Sequence, residues 1–342
     1  NAEWAILWNR FFNYLYVREQ LRHKLSNSRS SEVTIYAQDP LSAKAALYVK
    51  AIWPEIRVVS FVHFNISEAY EYTLRGTTRP DGPLYRALMD TEKKVFSRLD
   101  AIIFPSEFTR NVLLHRNQDL SGGTLHVIPN FVNKPENLHL SMRGDVVSIG
   151  TLEPRKNQQY LLQVLAEAKR LGKQYTLSLM GDGPDRPMLE SKAKSLGISD
   201  QVHFLGFQKN AAQLLRGYRL YAHGALMESF GIGLIEAMGC GLPLLAAPVG
   251  GIPEVFSDKA EGYYCDLGDP RRAAKLLIEI LGNEKIYRRM AEAGWKRYES
   301  AFTPEILAPK LLDVLLIDAR QHRLDQMPQH SRLLPSSKVK QE

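Results

Sequence analysis

The sequence contains only two cysteines, Cys240 and Cys265, among its 342 residues. So few cysteines argue against a disulfide framework and predict a reducing, cytoplasmic compartment, with each thiol serving as a small core residue. No apolar run reaches the roughly 18 residues that a membrane-spanning helix needs. The first residues do not resemble a secretory leader, because Arg10 and Arg18 interrupt the apolar run.

Several motifs that carry chemistry are also absent. No group of His, Cys and Asp residues has the spacing of metal ligands, and no Asp-x-Asp follows a predicted strand. The sequence has no P-loop and no Gly-x-Ser-x-Gly elbow, and no Gly-x-Gly-x-x-Gly follows an early strand. We therefore expect no bound metal, no serine-hydrolase chemistry and no dinucleotide cofactor.

The charge balance is positive. The formal net charge is +7, with 44% hydrophobic and 24% charged residues, an ordinary globular composition. A positive balance suits a diphosphate-bearing substrate or an anionic membrane surface, and simple solubility is the alternative explanation. It also suits nucleic acid, but no helix-turn-helix, zinc or RNA-binding motif accompanies it, so we expect no nucleic-acid partner.

The segment from Ala2 to Leu25 is predicted to form one helix. Its aromatic residues recur at three- and four-residue spacing, at Trp4, Trp8, Phe11 and Phe12. We expect this stripe to pack on a sheet. The alternative is a helix that lies on a membrane surface, which would make the protein peripheral on the inner face of the membrane.

Strand and helix patterns then alternate along the chain, which predicts an α/β protein with doubly wound parallel sheets. Four strands are predicted before residue 135, at Val33–Ala37, Arg57–Val62, Ala101–Phe104 and Leu125–Ile128. Six more are predicted at Val146–Ile149, Thr176–Met180, Val202–Leu205, Leu220–Leu226, Leu244–Ala247 and Gly262–Asp266. The predicted helices between and after them include Ala211–Tyr218, Gly231–Met238 and Glu305–Gln321. The polar residues 322–342 are expected to be a disordered tail.

The Gly-rich stretch after Glu228 has the most specific pattern. Ser229 is a good helix N-cap, and Gly231 and Gly233 would let a ligand approach the first turn of the following helix. The free N–H groups and the positive dipole end of such a helix suit a phosphate. At about 1.5 Å per residue, Glu236 lies roughly 10–12 Å beyond Glu228, close to the separation of the two sugars of a nucleotide-sugar. The alternatives are a solvated loop acid at Glu228 and an arginine partner for Glu236.

The segment from Glu228 to Pro243 (Glu-Ser-Phe-Gly-Ile-Gly-Leu-Ile-Glu-Ala-Met-Gly-Cys-Gly-Leu-Pro) resembles the signature of the retaining family 4 glycosyltransferases, E-[GS]-F-G-x-x-x-x-E-A-M-x-x-G-x-P-V. The resemblance covers roughly residues 32–320 and implies the GT-B architecture, two Rossmann-like domains facing each other across a cleft. It implies an acceptor-side domain at 1–135, a donor-binding domain at 145–300 and a helix at 301–321 that returns to the first domain. The family's first strand and Gly-Gly loop have no counterpart here, so we expect the first domain to be incomplete.

The resemblance also implies roles for individual residues. The segment Gly-Thr-Leu-Glu-Pro-Arg-Lys, ending at Lys156, matches the family pattern Gly-Arg-Leu-x-x-x-Lys, so Lys156 and Arg155 would grip the donor phosphates. Glu228 would orient the hexose, Glu236 the ribose, and His63 would face the reacting sugar. The other implied donor-site residues are Gly150, Thr151 (in place of an arginine), Gly181, Gly183, Phe207, Ser229, Phe230, Gly231 and Ile232. There is an alternative for each of three roles. Arg155 and Lys156 would form a solvated basic turn, Phe207 would be a core residue, and His63 would be structural.

Taken together, these implications predict a metal-independent enzyme without a cofactor, unlike the metal-dependent GT-A enzymes. It would move a hexosyl residue from a UDP- or GDP-sugar to a hydroxyl of a glycan, lipid-linked or small-molecule acceptor, as in polysaccharide biosynthesis. The attack would come from the front side, and the leaving phosphate would accept the acceptor's proton. The alternatives are a non-catalytic nucleotide-sugar-binding subunit or inactive fragment, and a GT-B nucleotide-sugar epimerase.

Overall fold

The computed structural model describes residues 2–27, 33–117, 123–135 and 141–326, with side chains as far as residue 316. Within them the chain forms two parallel sheets, one of four strands and one of six. Both sheets are flanked by helices, as the alternating pattern predicts. The first five residues of the predicted tail, 322–326, belong instead to the last helix, which continues to Gln326. Residues 327–342 lie outside the described part of the chain.

The first sheet has the strand order β1-β2-β3-β4. Its strands are β1 Thr34–Ala37, β2 Arg57–Phe61, β3 Ala101–Phe104 and β4 Thr124–Val127, so the four predicted strands are confirmed. The helices of this half are α1 Ala2–Ser26, α2 Pro40–Lys50, α3 Glu68–Leu74, α4 Pro83–Phe96 and α5 Glu107–Arg116. All residues of β2 and β3 are buried, which explains the continuous apolar sequence of β3; β2 is apolar apart from the buried Arg57 and Ser60.

Helix α1 differs from its prediction in the face that it buries. It lies mainly against α2 and α4, with Ile6 and Leu7 packed against one cluster and Leu21 and Leu25 against another. The aromatic stripe points away from these contacts, and Trp8, for example, is 58% exposed. Since α1 has apolar residues on two sides, spacing alone does not decide which side is buried.

The second sheet has the strand order β10-β9-β8-β5-β6-β7. Its strands are β5 Val146–Ile149, β6 Leu177–Met180, β7 Val202–Gly206, β8 Leu220–His223, β9 Leu244–Ala246 and β10 Gly262–Tyr264. The helices are α6 Gln158–Arg170, α7 Arg186–Ser195, α8 Ala211–Leu214, α9 Ile232–Gly239, α10 Ile252–Val255, α11 Pro270–Gly282, α12 Glu284–Ala301 and α13 Pro304–Gln326, with short 3-10 turns at Pro154–Lys156, Ser199–Gln201 and Leu215–Gly217.

Strand β10 ends two residues earlier than predicted, at Tyr264, and two further elements of this half differ more in form. Strand β8 ends at His223 rather than at Leu226, because the carbonyl of Gly224 and the N–H of Leu226 bond to the loop after β5 instead of to a neighbouring strand. The helix predicted from Ala211 is a single α-helical turn followed by a 3-10 turn. Both differences come from tertiary contacts that sequence periodicity does not report.

The order of the strands places a crevice between β5 and β8. The chain leaves β5 through α6 toward β6 on one side, and leaves β8 through α9 toward β9 on the other. In open α/β sheets ligands bind where neighbouring connections diverge in this way, beyond the carboxyl ends of the strands. The β5–α6 and β8–α9 loops, residues 150–157 and 224–231, border this crevice.

The two halves share a buried core. Val59 and Ile103 of the first sheet belong to the same apolar cluster as Phe230 and Leu307. Helix α13 returns to the first sheet, where the hydroxyl of Thr34 donates to the carbonyl of Leu315 at 2.9 Å. The limits of the two domains remain predictions.

Candidate functional site

Backbone and side-chain bonds fasten the two crevice loops together. The amide of Asn157 donates to the carbonyl of Gly224 at 3.0 Å, and the N–H of Leu226 donates to the carbonyl of Arg155 at 2.9 Å. These bonds bring Lys156 next to Glu228, with Nζ 2.5 Å from Oε2. Two residues 72 positions apart in the chain therefore form the centre of the site.

Glu228 is held by one of its two carboxylate oxygens. Its Oε2 contacts Nζ of Lys156, Nε2 of His223 at 3.2 Å and a guanidinium nitrogen of Arg155 at 3.8 Å. Burial raises the pKa of Glu228, but the hydrogen bond with His223 and the charge of Lys156 outweigh it and hold the pKa well below its usual value. The carboxylate is therefore ionised at neutral pH. Within the described residues no hydrogen bond or ion pair reaches Oε1, so this oxygen is available to a ligand.

Glu236, about one turn into α9, lies in a different environment. In the described part of the chain its carboxylate has no hydrogen bond and no ion pair, so the predicted alternative of an arginine partner is not found there. Burial raises its pKa to about 7. It lines a cavity of about 540 Å³, together with Lys134, Ile149 and Asn210. A half-buried carboxylate without a partner that faces a cavity can accept hydrogen bonds from hydroxyl groups.

The start of α9 differs from its prediction. Gly231, not Ser229, is the N-cap; its φ of 101° is left-handed, and no side chain caps the helix. Ser229 instead accepts a hydrogen bond at its carbonyl from Ser106 of the first half, at 2.7 Å. Uncapped N–H groups at a helix start can take an anion. Ile232 is exposed at this turn, whereas Phe230 is buried against Phe302, so its role in the described structure is packing.

The predicted glycine turns are places of close backbone approach. A Cβ on Gly181, whose φ is 143°, would lie 2.0 Å from the carbonyl oxygen of Gly150. A Cβ on Gly183 would lie 2.4 Å from the carbonyl oxygen of Leu152. The loops after β5 and β6 therefore pack backbone against backbone at the edge of the crevice. The predicted Thr151 is exposed beside them.

Two predicted residues lie away from Glu228. Phe207 is 83% exposed, so its interpretation as a core residue is wrong. His63 is exposed at the end of β2, with Nε2 2.6 Å from the amide oxygen of Gln38, and its ring stacks on Phe61. Burial lowers the pKa of His63. Since Nε2 faces an amide oxygen, it acts as a donor there, and no contact joins His63 to Lys156 or Glu228 in the described residues.

Two family profiles together match most of the chain. Residues 131–297 match the profile described as Glycosyl transferases group 1, and residues 6–134 match that described as Glycosyltransferase Family 4. The chain belongs to the family 4 glycosyltransferases. The strand order and the crevice loops are thus those of a GT-B fold, as the resemblance implied.

Individual relatives agree with this family 4 assignment. The N-acetyl-alpha-D-glucosaminyl L-malate synthase of Bacillus anthracis is 40% identical over 129 residues, which are 38% of this chain and 34% of that protein. The D-inositol 3-phosphate glycosyltransferase of Salinispora arenicola is 32% identical over 189 residues, 52% of this chain and 42% of that one. The chain therefore matches between a third and a half of the length of these relatives.

A solved structure with the same fold is Anabaena Alr3699/HepE in complex with UDP and glucose. Its TM-score with this family 4 chain is 0.69 at 20% sequence identity, over 82% of this chain and 77% of that one. At this identity the likeness shows the fold alone.

One residue that contacts Glu228, His223, is not among the predicted site residues. His223 lies at the end of β8, where polar residues of α/β sheets reach a ligand crevice, and its place after a buried apolar strand could have identified it. Among the residues that the structure describes, no group of three or more His, Cys, Asp or Glu side chains could hold a metal ion. None of the described helices is long and apolar enough to cross a membrane.

Proposed function

We propose that this chain is a retaining hexosyltransferase that uses a UDP- or GDP-sugar as donor and a hydroxyl group as acceptor. The observation that carries the proposal is a pair of dissimilar carboxylates, one in the loop before α9 and one within that helix. Glu228 is fixed and ionised with one oxygen available, and Glu236 is unpaired beside a cavity. A ligand with hydroxyl groups at both ends and negative charge between them fits this arrangement.

The donor would lie across the uncapped start of α9. Its diphosphate would meet the first N–H groups of the helix and the positive charges of Lys156 and Arg155. The hexose would donate hydroxyl hydrogen bonds to Oε1 of Glu228, and the ribose would donate to Glu236 in its cavity. Positive charge at the phosphates stabilises the leaving group, which is where negative charge develops during transfer.

The acceptor would approach from the first half of the chain. Arg75 at the end of α3 lies 3.9 Å from Glu153 in the β5–α6 loop, and a narrow gap between them also exposes Glu71 and Arg155. The names of the two relatives include L-malate and D-inositol 3-phosphate, both of which are small anions with hydroxyl groups. We propose an acceptor of that kind, or a glycan or lipid-linked acceptor, with His63 near the reacting sugar.

The remaining steps need no protein nucleophile. The acceptor hydroxyl attacks the anomeric carbon on the face from which the diphosphate leaves, and the leaving phosphate oxygen takes the hydroxyl proton. No metal takes part in this scheme, so we expect EDTA to leave the rate unchanged. A peripheral position on the inner face of a membrane, through the aromatic stripe of α1, belongs to the same proposal.

The direct test incubates the chain with UDP-glucose, UDP-N-acetylglucosamine or GDP-mannose and a panel of L-malate, inositol phosphate and glycan acceptors. We expect a glycosylated product with retained anomeric configuration, and a loss of at least about 100-fold in rate for Glu228→Gln at a temperature where circular dichroism shows the variant to be folded. Donor binding without transfer would favour the non-catalytic alternative. Full turnover by Glu228→Gln would reject the proposal.

A further inference from the structure

His223 occupies a buried position directly behind the carboxylate of Glu228. It is the last residue of β8, it is only 5% exposed, and its ring stacks on that of Tyr221 at a centroid distance of 6.2 Å. A ring held between a strand and its neighbours has little freedom to turn. Its Nε2 therefore stays within 3.2 Å of Oε2 of Glu228.

The histidine is neutral at physiological pH. Burial lowers the pKa of His223, and the nearby charges of Lys156 and Arg155 lower it further, against the opposing effect of Glu228. A neutral imidazole carries one N–H group. Because Nε2 faces a carboxylate oxygen that is ionised, the proton belongs on Nε2, and His223 donates to Glu228.

Lys156 and His223 thus share one oxygen of Glu228, but they differ in mobility and charge. The ammonium of Lys156 ends a flexible chain and carries the positive charge that a diphosphate attracts. His223 is uncharged and buried, so a diphosphate attracts it much less strongly than it attracts Lys156. A donor molecule that draws Lys156 toward its phosphates leaves His223 as the hydrogen-bond donor that remains on Oε2.

We propose that His223 is a positioning residue for transfer: it holds Oε2 of Glu228 when Lys156 turns to the donor phosphates, so that Oε1 keeps facing the hexose. This inference rests on the proposed function. It predicts that removal of the Nε2 donor disturbs the sugar end of the donor and leaves the nucleotide end nearly unchanged. Within the described residues no hydrogen bond or ion pair joins His223 to Glu236 or to the start of α9.

The test compares His223→Met, which removes the donor at similar volume, with His223→Gln, whose amide nitrogen can take the place of Nε2. For His223→Met we expect a fall in kcat of about 10- to 100-fold, the effect of losing a hydrogen bond to a charged group. The affinity for UDP or GDP, measured by calorimetry, should change by less than about threefold, while the extra affinity of the nucleotide-sugar over the nucleotide should be lost. His223→Gln should recover most of the rate.

The outcomes separate this inference from the proposed function. Equal rates for wild type and His223→Met, or no recovery by His223→Gln with intact thermal stability, would overturn the positioning role while transfer itself stands. If the wild-type chain binds UDP-glucose or GDP-mannose without transfer, the proposed function fails, and the positioning role is then decided by the affinity difference between nucleotide-sugar and nucleotide in His223→Met. A wild-type chain that binds neither nucleotide nor nucleotide-sugar overturns both.

Discussion

Glu254 accepts a hydrogen bond from the backbone N–H of Glu107 at 2.7 Å, so a side chain of the second half caps a helix of the first. The same carboxylate accepts from the N–H of Phe108 at 2.8 Å, and Ser106 just before them donates to the carbonyl of Ser229. The start of α5 is thereby attached to the loop that follows β8 and to helix α10. These contacts join the two halves beside the candidate donor site.

Replacing Glu254 should weaken this attachment. We expect Glu254→Ala to lower the free energy of unfolding by about 1–2 kcal/mol, because two N–H groups at a helix start lose a charged acceptor. It should also weaken nucleotide binding. The matched control is Asp39→Ala, which removes a comparable cap from α2 within the first half. Urea denaturation and calorimetry with UDP measure both effects, and equal UDP affinities for the two variants would contradict a link between the cap and the site.

The pair Lys156–Glu228 should be strongly coupled in stability. Both side chains are mostly buried, so Lys156→Met leaves an ionised carboxylate without its main counter-charge, and we expect a loss of about 2–4 kcal/mol in the free energy of unfolding. The double variant Lys156→Met/Glu228→Gln should lose less stability than the two single variants lose in sum, and we expect the difference to be about 1–3 kcal/mol.

An exposed ion pair provides the control for this cycle. Lys94 and Asp90 on α4 are 2.7 Å apart, but both side chains are more than half exposed. Their coupling should approach the error of the measurement. A coupling at Lys156 and Glu228 no larger than that at Lys94 and Asp90 would show that the buried contact is not populated in solution.

Much of the fold and part of the site follow from local sequence. The strands β2, β3 and β5 are short apolar runs between turns, and their positions agree with prediction within one residue. Helix α3 was missed because only Ala69 of its seven residues is buried, so no helical stripe marks it. The N-cap of α9 was misplaced because Gly231 takes a left-handed conformation that delays the helix by two residues.

The contacts within the site could not be predicted from pattern alone. Lys156 and Glu228 were each implied by the family resemblance, but their direct contact depends on backbone bonds between two loops far apart in sequence. His223 was missed because no motif marks it, although it is only five residues from Glu228 and ends the buried strand β8. Local patterns specify elements, whereas the pairing of charged groups in a crevice depends on the order of the strands.

The aromatic stripe of α1 should bind anionic membranes. Trp8 and Phe12 are both 58% exposed, and Arg22 and Lys24 follow on the same helix. We expect the chain to float with vesicles that contain phosphatidylglycerol, and the variant Trp8→Ser/Phe12→Ser to bind them at least about tenfold more weakly. Phe207→Ser, which removes an exposed aromatic ring elsewhere, is the control. If the double variant binds vesicles as well as wild type does, the stripe is not the membrane contact. If wild type is a dimer and the double variant is a monomer, the stripe binds a second copy of the chain instead.

The raised pKa of Glu236 predicts a stability cost that depends on pH. A carboxyl group whose pKa is about 7 when folded and near its usual value when unfolded binds more protons in the folded state between these values. The stability cost of the ionised carboxylate is therefore small below pH about 4.5 and complete above pH about 7, where it reaches about 3 kcal/mol. Glu236→Gln removes the charge and keeps the shape. It should match wild type near pH 4 and be more stable by that amount at pH 8.

The same substitution should have the opposite effect on ligand binding. If Glu236 accepts hydrogen bonds from ribose hydroxyls, binding favours its ionised form, so wild type should release a proton when it binds UDP or GDP near pH 7. Calorimetry in two buffers of different ionisation enthalpy measures this proton, and Glu236→Gln should show neither the proton release nor full affinity. If the loss of a carboxylate stabilises the protein but weakens ligand binding, that carboxylate serves the ligand rather than the fold. A stability difference that does not change with pH, or equal affinity in the variant, would show that Glu236 has no such role.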